Sequence, residues 1–147
     1  MGLDMFLTAR IYLWDNEKKD VLNKMFGIES SGFEYTVQDV GVRVAYWRKA
    51  NAIHHWFVKN CQDGSDDCKE YWVEREKIEE LMSICYEVAE NINRGKELLP
   101  TQGGFFFGPV EFDDDYLWYV KETARMLKRA LDDKALKDAD FYYSSSW

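Results

Sequence analysis

The chain is poor in cysteine, and its three cysteines, Cys61, Cys68 and Cys85, form no CxxC pair. An odd count without metal-ligand spacing argues against both a disulfide framework and a zinc site. The opening Met1-Gly2-Leu3-Asp4 lacks the basic stretch and apolar run of a secretory signal. Reduced thiols in a cytoplasm are therefore expected. Long apolar runs are also missing, which leaves no segment for a membrane-spanning helix. No internal repeat, low-complexity tract or linker divides the 147 residues, and their number fits a single domain over residues 1–147.

Basic charge is scarce as well. The net charge is −8; residues 1–62 balance to +1 and residues 63–147 to −9. An acidic field repels phosphates, so nonspecific nucleic-acid binding is not expected. What is abundant is aromatic: 16% of the residues are Phe, Trp or Tyr, enough to fill a core and leave rings over for contacts.

From Leu3 to Trp14 apolar and mixed residues alternate, the period of a strand with one aliphatic face. Asp15 to Asp20 reads as a polar break, followed by one or two helical turns over Val21–Phe26 that end at Gly27. Glu29–Gly32 is a turn signal. Phe33, Tyr35 and Val37 then alternate, and the apolar set shifts parity to Val40, Val42 and Val44. That shift predicts a bulge near Asp39 or Gly41, or two strands.

Tyr46 to Val58 holds both histidines and two of the six tryptophans. On a helical wheel Tyr46, Ala50, Ile53, Phe57 and Cys61 form a buried side, with Arg48, His55 and Lys59 opposite, Asn51 near them, and Trp47 and His54 between. The spacing predicts one helix running on to Asn60–Gln62. Asp63-Gly64-Ser65 is a turn, with Ser65 or Asp66 available to cap the next element.

A helix is predicted over Glu74–Arg94 with Gly95 at its C′ position, and a last long helix capped by Asp113 or Asp114. Between them Leu98–Pro109 reads as loop, short apolar strand and loop. The ending Asp140–Trp147 reads as a strand that pairs with the first. The fold class is therefore α+β: a small, mostly antiparallel sheet, N- and C-terminal strands included, packed against about three helices.

Complete reaction machinery is lacking. His54 and His55 are adjacent, point about 100° apart on a helix and do not suit one metal. His54 reads as a satisfied core residue. His55 reads as more open and within reach of Asp66 or Asp67 across the turn. Cys61 and Cys85 read as packing, and acids beside Cys68 would raise its pKa rather than activate it. Residues 63–67 lack the spacing of an EF-hand. Gly103-Gly104-Phe105-Phe106-Phe107-Gly108 is followed by no GK[ST] and opens no GxGxxG. No metal and no cofactor are expected.

Five blocks, MGLDMFL, YWRKANAIHHWFV, DGSDDCKEYWV, LLPTQGGFFFG and FYYSSSW, together resemble a family of small uncharacterised phage and prophage proteins. Members are often labelled phosphoglycerate kinase; this chain is too short for that two-domain enzyme and has no motif for ATP phosphates. The resemblance implies phage or prophage origin and an accessory role in the cytoplasm. It transfers no established catalytic residue. The polar members of the blocks are the surface it would imply: Arg48, Asn51, His54, His55, Asp67 and Gln102, with Asp4 a further member.

The function expected is a non-enzymatic binding protein acting on a host or defence component. One form of it is a sponge for a nucleotide signal, with Arg48 on phosphate and Trp47 or Trp56 stacked on a base; Gly103 would let backbone approach the ligand. The partner would be a protein or a small anionic ligand, with no membrane involved. The alternative is a small hydrolase or transferase with His55 as base and Arg48 stabilising an anion.

Overall fold

Alternation along the first strand decides which way the sheet faces. In the computed structural model, which describes residues 2–29 and 35–147, β1 spans Asp4–Tyr12. Leu3, Met5, Leu7 and Ala9 are fully buried, while Asp4, Phe6, Thr8 and Arg10 on the other face are half-covered. A helix, α1, follows over Asn16–Met25, then β2 (Asp39–Arg48), α2 (Asn51–Cys61), β3 (Tyr71–Val73), α3 (Arg75–Glu90), α4 (Gly95–Leu98), α5 (Asp114–Asp132) and β4 (Asp140–Ser146). The strands form one antiparallel sheet in the order β2-β1-β4-β3. The first strand thus lies at the centre, beside the last.

The aliphatic face of β1 is closed by helices. Ile78, Leu81, Cys85 and Val88 of α3 and Val120, Ala124 and Leu127 of α5 recur at three and four residues and join the same buried cluster as Leu3, Met5 and Leu7. The fold is a mixed α+β one, a four-stranded antiparallel sheet against several helices.

Several local expectations are corrected. The polar run from Asn16 is the first turn of α1, because Asp15 caps it by accepting from the Glu17 amide at 2.9 Å. Gly27 does end it, at φ +68°. Phe33 lies outside the described residues, and Tyr35 and Val37 are not in a strand; the Val37 amide goes to the Asn23 side chain instead. The bulge falls at Val44, unmatched between the pairs Leu7–Ala45 and Thr8–Arg43, rather than at Asp39 or Gly41.

Tyr46, Trp47 and Arg48 close β2 and are not helical. Lys49 takes a left-handed φ of +57° and Ala50 a non-helical ψ, so a corner separates strand from helix. Neither Ser65 nor Asp66 caps a helix, since the chain runs into β3. No strand forms at Phe105–Phe107, which make a turn closed by Phe107 N–H on the Gly104 carbonyl. Gly95 has a right-handed φ of −57° and opens α4. A methyl group there would overlap the Tyr116 hydroxyl; close approach, not chain reversal, is its role.

Candidate functional site

The corner after β2 places Asn51 at the first position of α2, fully buried. Its amide nitrogen donates to the carbonyls of Phe107 (3.1 Å) and Pro109 (2.7 Å), and its oxygen accepts from the Gln102 amide (3.1 Å). One side chain therefore fixes both limbs of the segment 102–109. Leu3 N–H donates to the Phe106 carbonyl and Lys49 N–H to the Leu3 carbonyl, which brings the start of the chain to the same place.

One turn further along α2, His54 is completely buried. Its Nδ1 lies 2.7 Å from the Tyr143 hydroxyl and its Nε2 2.9 Å from Asp66 Oδ2. A carboxylate oxygen accepts, so Nε2 of the ring carries a proton directed at Asp66. The Trp147 indole donates to the other Asp66 oxygen at 3.1 Å. Phe107 meets the imidazole edge-on at 5.2 Å. The five sequence blocks thus converge in space.

Hydroxyl, imidazole and carboxylate stand in the order of a proton relay, yet the hydroxyl belongs to Tyr143, which has no accessible surface. Burial, reinforced by the Asp66 charge, holds that phenol well above its ordinary range. No substrate can reach it. The relay is a strut.

His55 is half-buried and its Nδ1 faces Gln102 Oε1 at 2.7 Å. Among the described residues no carboxylate bonds either ring nitrogen, and it is the Gln102 side chain that orients the imidazole through Nδ1. The predicted contact across the turn exists, but between Asp66 and His54 instead. Trp47 and Trp56 are 4% and 5% exposed. The Trp47 indole donates to Thr123 Oγ1 at 2.8 Å. Neither ring offers a face to a base. Asp67 is exposed and engaged with Lys69 (2.7 Å) and Tyr71 (3.0 Å); the Lys69 hydrogen bond pulls its carboxyl below the usual range. It stays apart from the Asn51 cluster. Gly103 is exposed.

Arg48 and Lys49 are exposed and, among the described residues, make no ion pair. Arg48 stands across the ladder from Asp4, which accepts the Tyr46 hydroxyl. Both cations line a cavity of about 270 Å³ whose other walls are Pro109, Glu111 and the start of α5, with Trp118 and Tyr119. Among the described residues the buried Tyr119 hydroxyl has no hydrogen-bond partner, and burial raises it strongly. Ala50 gives α2 no side-chain cap, so this end of α2 contributes positive dipole nearby. Of the three lining carboxylates, Glu111 and Asp113 accept from the Val110 and Tyr116 amides, and Asp115 stands in the first turn of α5. Trp118 is 67% exposed. Sequence reasoning missed Trp118 and Tyr119 because it followed the apolar stripe of α5.

Among the described residues, no group of three His, Cys, Asp or Glu side chains is placed to hold a metal ion, and no helix is long and apolar enough to cross a membrane. Comparison with protein-family models, with curated proteins and with solved structures finds no match.

Proposed function

We propose that the chain is a non-enzymatic binding protein that grips an anionic group of its ligand or partner, a phosphate or carboxylate, at the Arg48–Lys49 cavity. The observation that carries this reading is a division of labour. The polar groups of Asn51 and His54 are consumed inside the protein, whereas Arg48 and Lys49, without ion partners among the described residues, stand at a cavity beside an exposed tryptophan. A guanidinium offers a fork that matches either anion. In the nucleotide form of the proposal, Trp118 replaces the buried Trp47 and Trp56 as the stacking ring. The resemblance to phage and prophage proteins makes a host or defence component the expected partner.

Thermal-shift measurements with pyrophosphate, linear and cyclic nucleotides and citrate test it. A ligand at one hundred times its dissociation constant adds about 2.7 kcal/mol of stability. That gain should vanish in Arg48→Ala, and largely in Arg48→Lys, whose point charge lacks the fork. A doubly substituted Arg48→Ala, Lys49→Ala chain that binds unchanged would remove the cavity from consideration.

A further inference from the structure

The outer edge of β2 offers a second, separate surface. Among the described residues β2 pairs with β1 alone, so along its ten residues the backbone groups that point away from β1 have no ladder. The opposite edge, β3, is three residues long and has little to offer a partner. Between the β2 edge and α5 runs a groove of about 400 Å³. Its apolar wall is made by Val42, Met126, Ala130 and Leu136. Arg125 and Arg129 of α5 and, from the opposite face of β2, Arg43 bring cations to it, against one lining carboxylate among the described residues, Asp133.

Those charges are unequally committed. Asp133 already accepts the Ala135 amide, and Arg125 is held by Glu122. Arg43 lies over the Phe6 ring at 4.7 Å, a contact that leaves its charge unneutralised. Arg129 makes no ion pair among the described residues. A guanidinium-rich groove along an open strand is thus set into a chain of net charge −8.

We propose that β2 receives an extended acidic segment of a partner protein as a fifth strand. Main-chain bonds would supply the pairing; alternate carboxylates would lie on the Phe6 face of the sheet and reach Arg43, while the small side chains between them turn toward α5 and cover Met126 and Ala130. A second copy of the chain fits this edge less well, since pairing two β2 strands through their centres sets Arg43 near Arg43. The bulge at Val44 and the arginines also match the devices by which edges are guarded against any strand. A guard rejects strands of either charge; a docking edge discriminates between them.

The experiment uses the full chain and two short probe peptides, one alternating glutamate with threonine, the other lysine with threonine. The acidic peptide should bind saturably, slow amide hydrogen exchange across Val42–Tyr46 and weaken as salt rises. The basic peptide should do none of these. Arg43→Glu should weaken acidic-peptide binding at least tenfold at unchanged melting temperature. Methylation of alternate backbone nitrogens of the acidic peptide should abolish it. Equal binding of both peptides, no binding at millimolar concentration, or tolerance of the methylated peptide would each overturn the proposal. So would sedimentation showing dimers with a protected β2, which would give the edge to a second copy. None of these readouts involves Arg48 or Lys49, so the two proposals stand or fall separately.

Discussion

The imidazole of His54 joins the Tyr143 hydroxyl to the Asp66 carboxylate through its two nitrogens, at 2.7 and 2.9 Å, with no accessible surface of its own. It ties α2 to β4 and to the turn that leads into β3.

Replacing His54 by Ala removes both bonds and strands a buried hydroxyl. The expected cost is about 3 kcal/mol or more, read by urea unfolding. Tyr143→Phe removes one bond and should cost about 1–2 kcal/mol. The two should not add in the double variant, because they share the same network. A His54→Ala chain within about 0.5 kcal/mol of the parent would show that the strut carries nothing.

Asn51 can be tested by chemistry rather than size. Asn51→Asp keeps the acceptor for the Gln102 amide but loses the donor to the carbonyls of Phe107 and Pro109, and it sets a carboxylate against them. It should destabilise at least as much as Asn51→Ala, by about 2–4 kcal/mol. Both should speed hydrogen exchange in residues 102–109. If Asp is tolerated better than Ala, the donor bonds are not what matters.

The three thiols should separate by access. Cys68 is exposed, Cys61 is half-buried with its thiol pushed up to about 12 by burial, and Cys85 is buried and raised further. A disulfide reagent should modify one thiol quickly in the native chain. Cys61 and Cys85 should react only as fast as the fold opens. Rapid modification of all three would contradict the packing of α2 and α3.

Alkali should unfold the protein. Burial raises the phenols of Tyr116, Tyr119 and Tyr143 and the thiols of Cys61 and Cys85 above their ordinary values of 10.0 and 9.0. The folded chain keeps these protons while the unfolded chain gives them up. Their stabilising contribution is therefore whole below pH 9 and declines as pH rises through 9–10 and beyond. The slope is about 1.4 kcal/mol per pH unit for each group then titrating only in the unfolded chain. Tyrosinate absorbance should show a late phase that coincides with loss of circular dichroism. Free titration of every tyrosine in the native state would contradict this.

Where a pattern is local and complete, sequence alone shows the element. The odd-numbered aliphatics of β1 and the Asp113 cap with the three-and-four spacing of α5 are of this kind. Tyr46–Arg48 is the instructive failure. Tyr46, Ala50 and Ile53 fit a helical wheel, but the first lies in a strand and the other two follow a corner that Lys49 makes with a left-handed φ. A wheel assumes one conformation throughout and has no means of registering that break. Likewise the partner of Trp47 is Thr123, and that of His54 is Tyr143; such contacts depend on how distant elements dock, which no spacing encodes. The exposed Trp118 falls off the α5 stripe and carries no periodic signal.

The ladder between β1 and β4 has a cost in time. β1 pairs on one side with β2 and on the other with β4, and nearly the whole chain separates β1 from β4. At about 5–20 residues per second on a ribosome, roughly 7–27 s pass between synthesis of the first strand and of the last. During that interval Leu3, Met5, Leu7 and Ala9 can gather only the part of their burial that β2 and the early helices provide. The nascent chain should therefore be a client of ribosome-bound holdases until its last strand emerges and slots in beside the first.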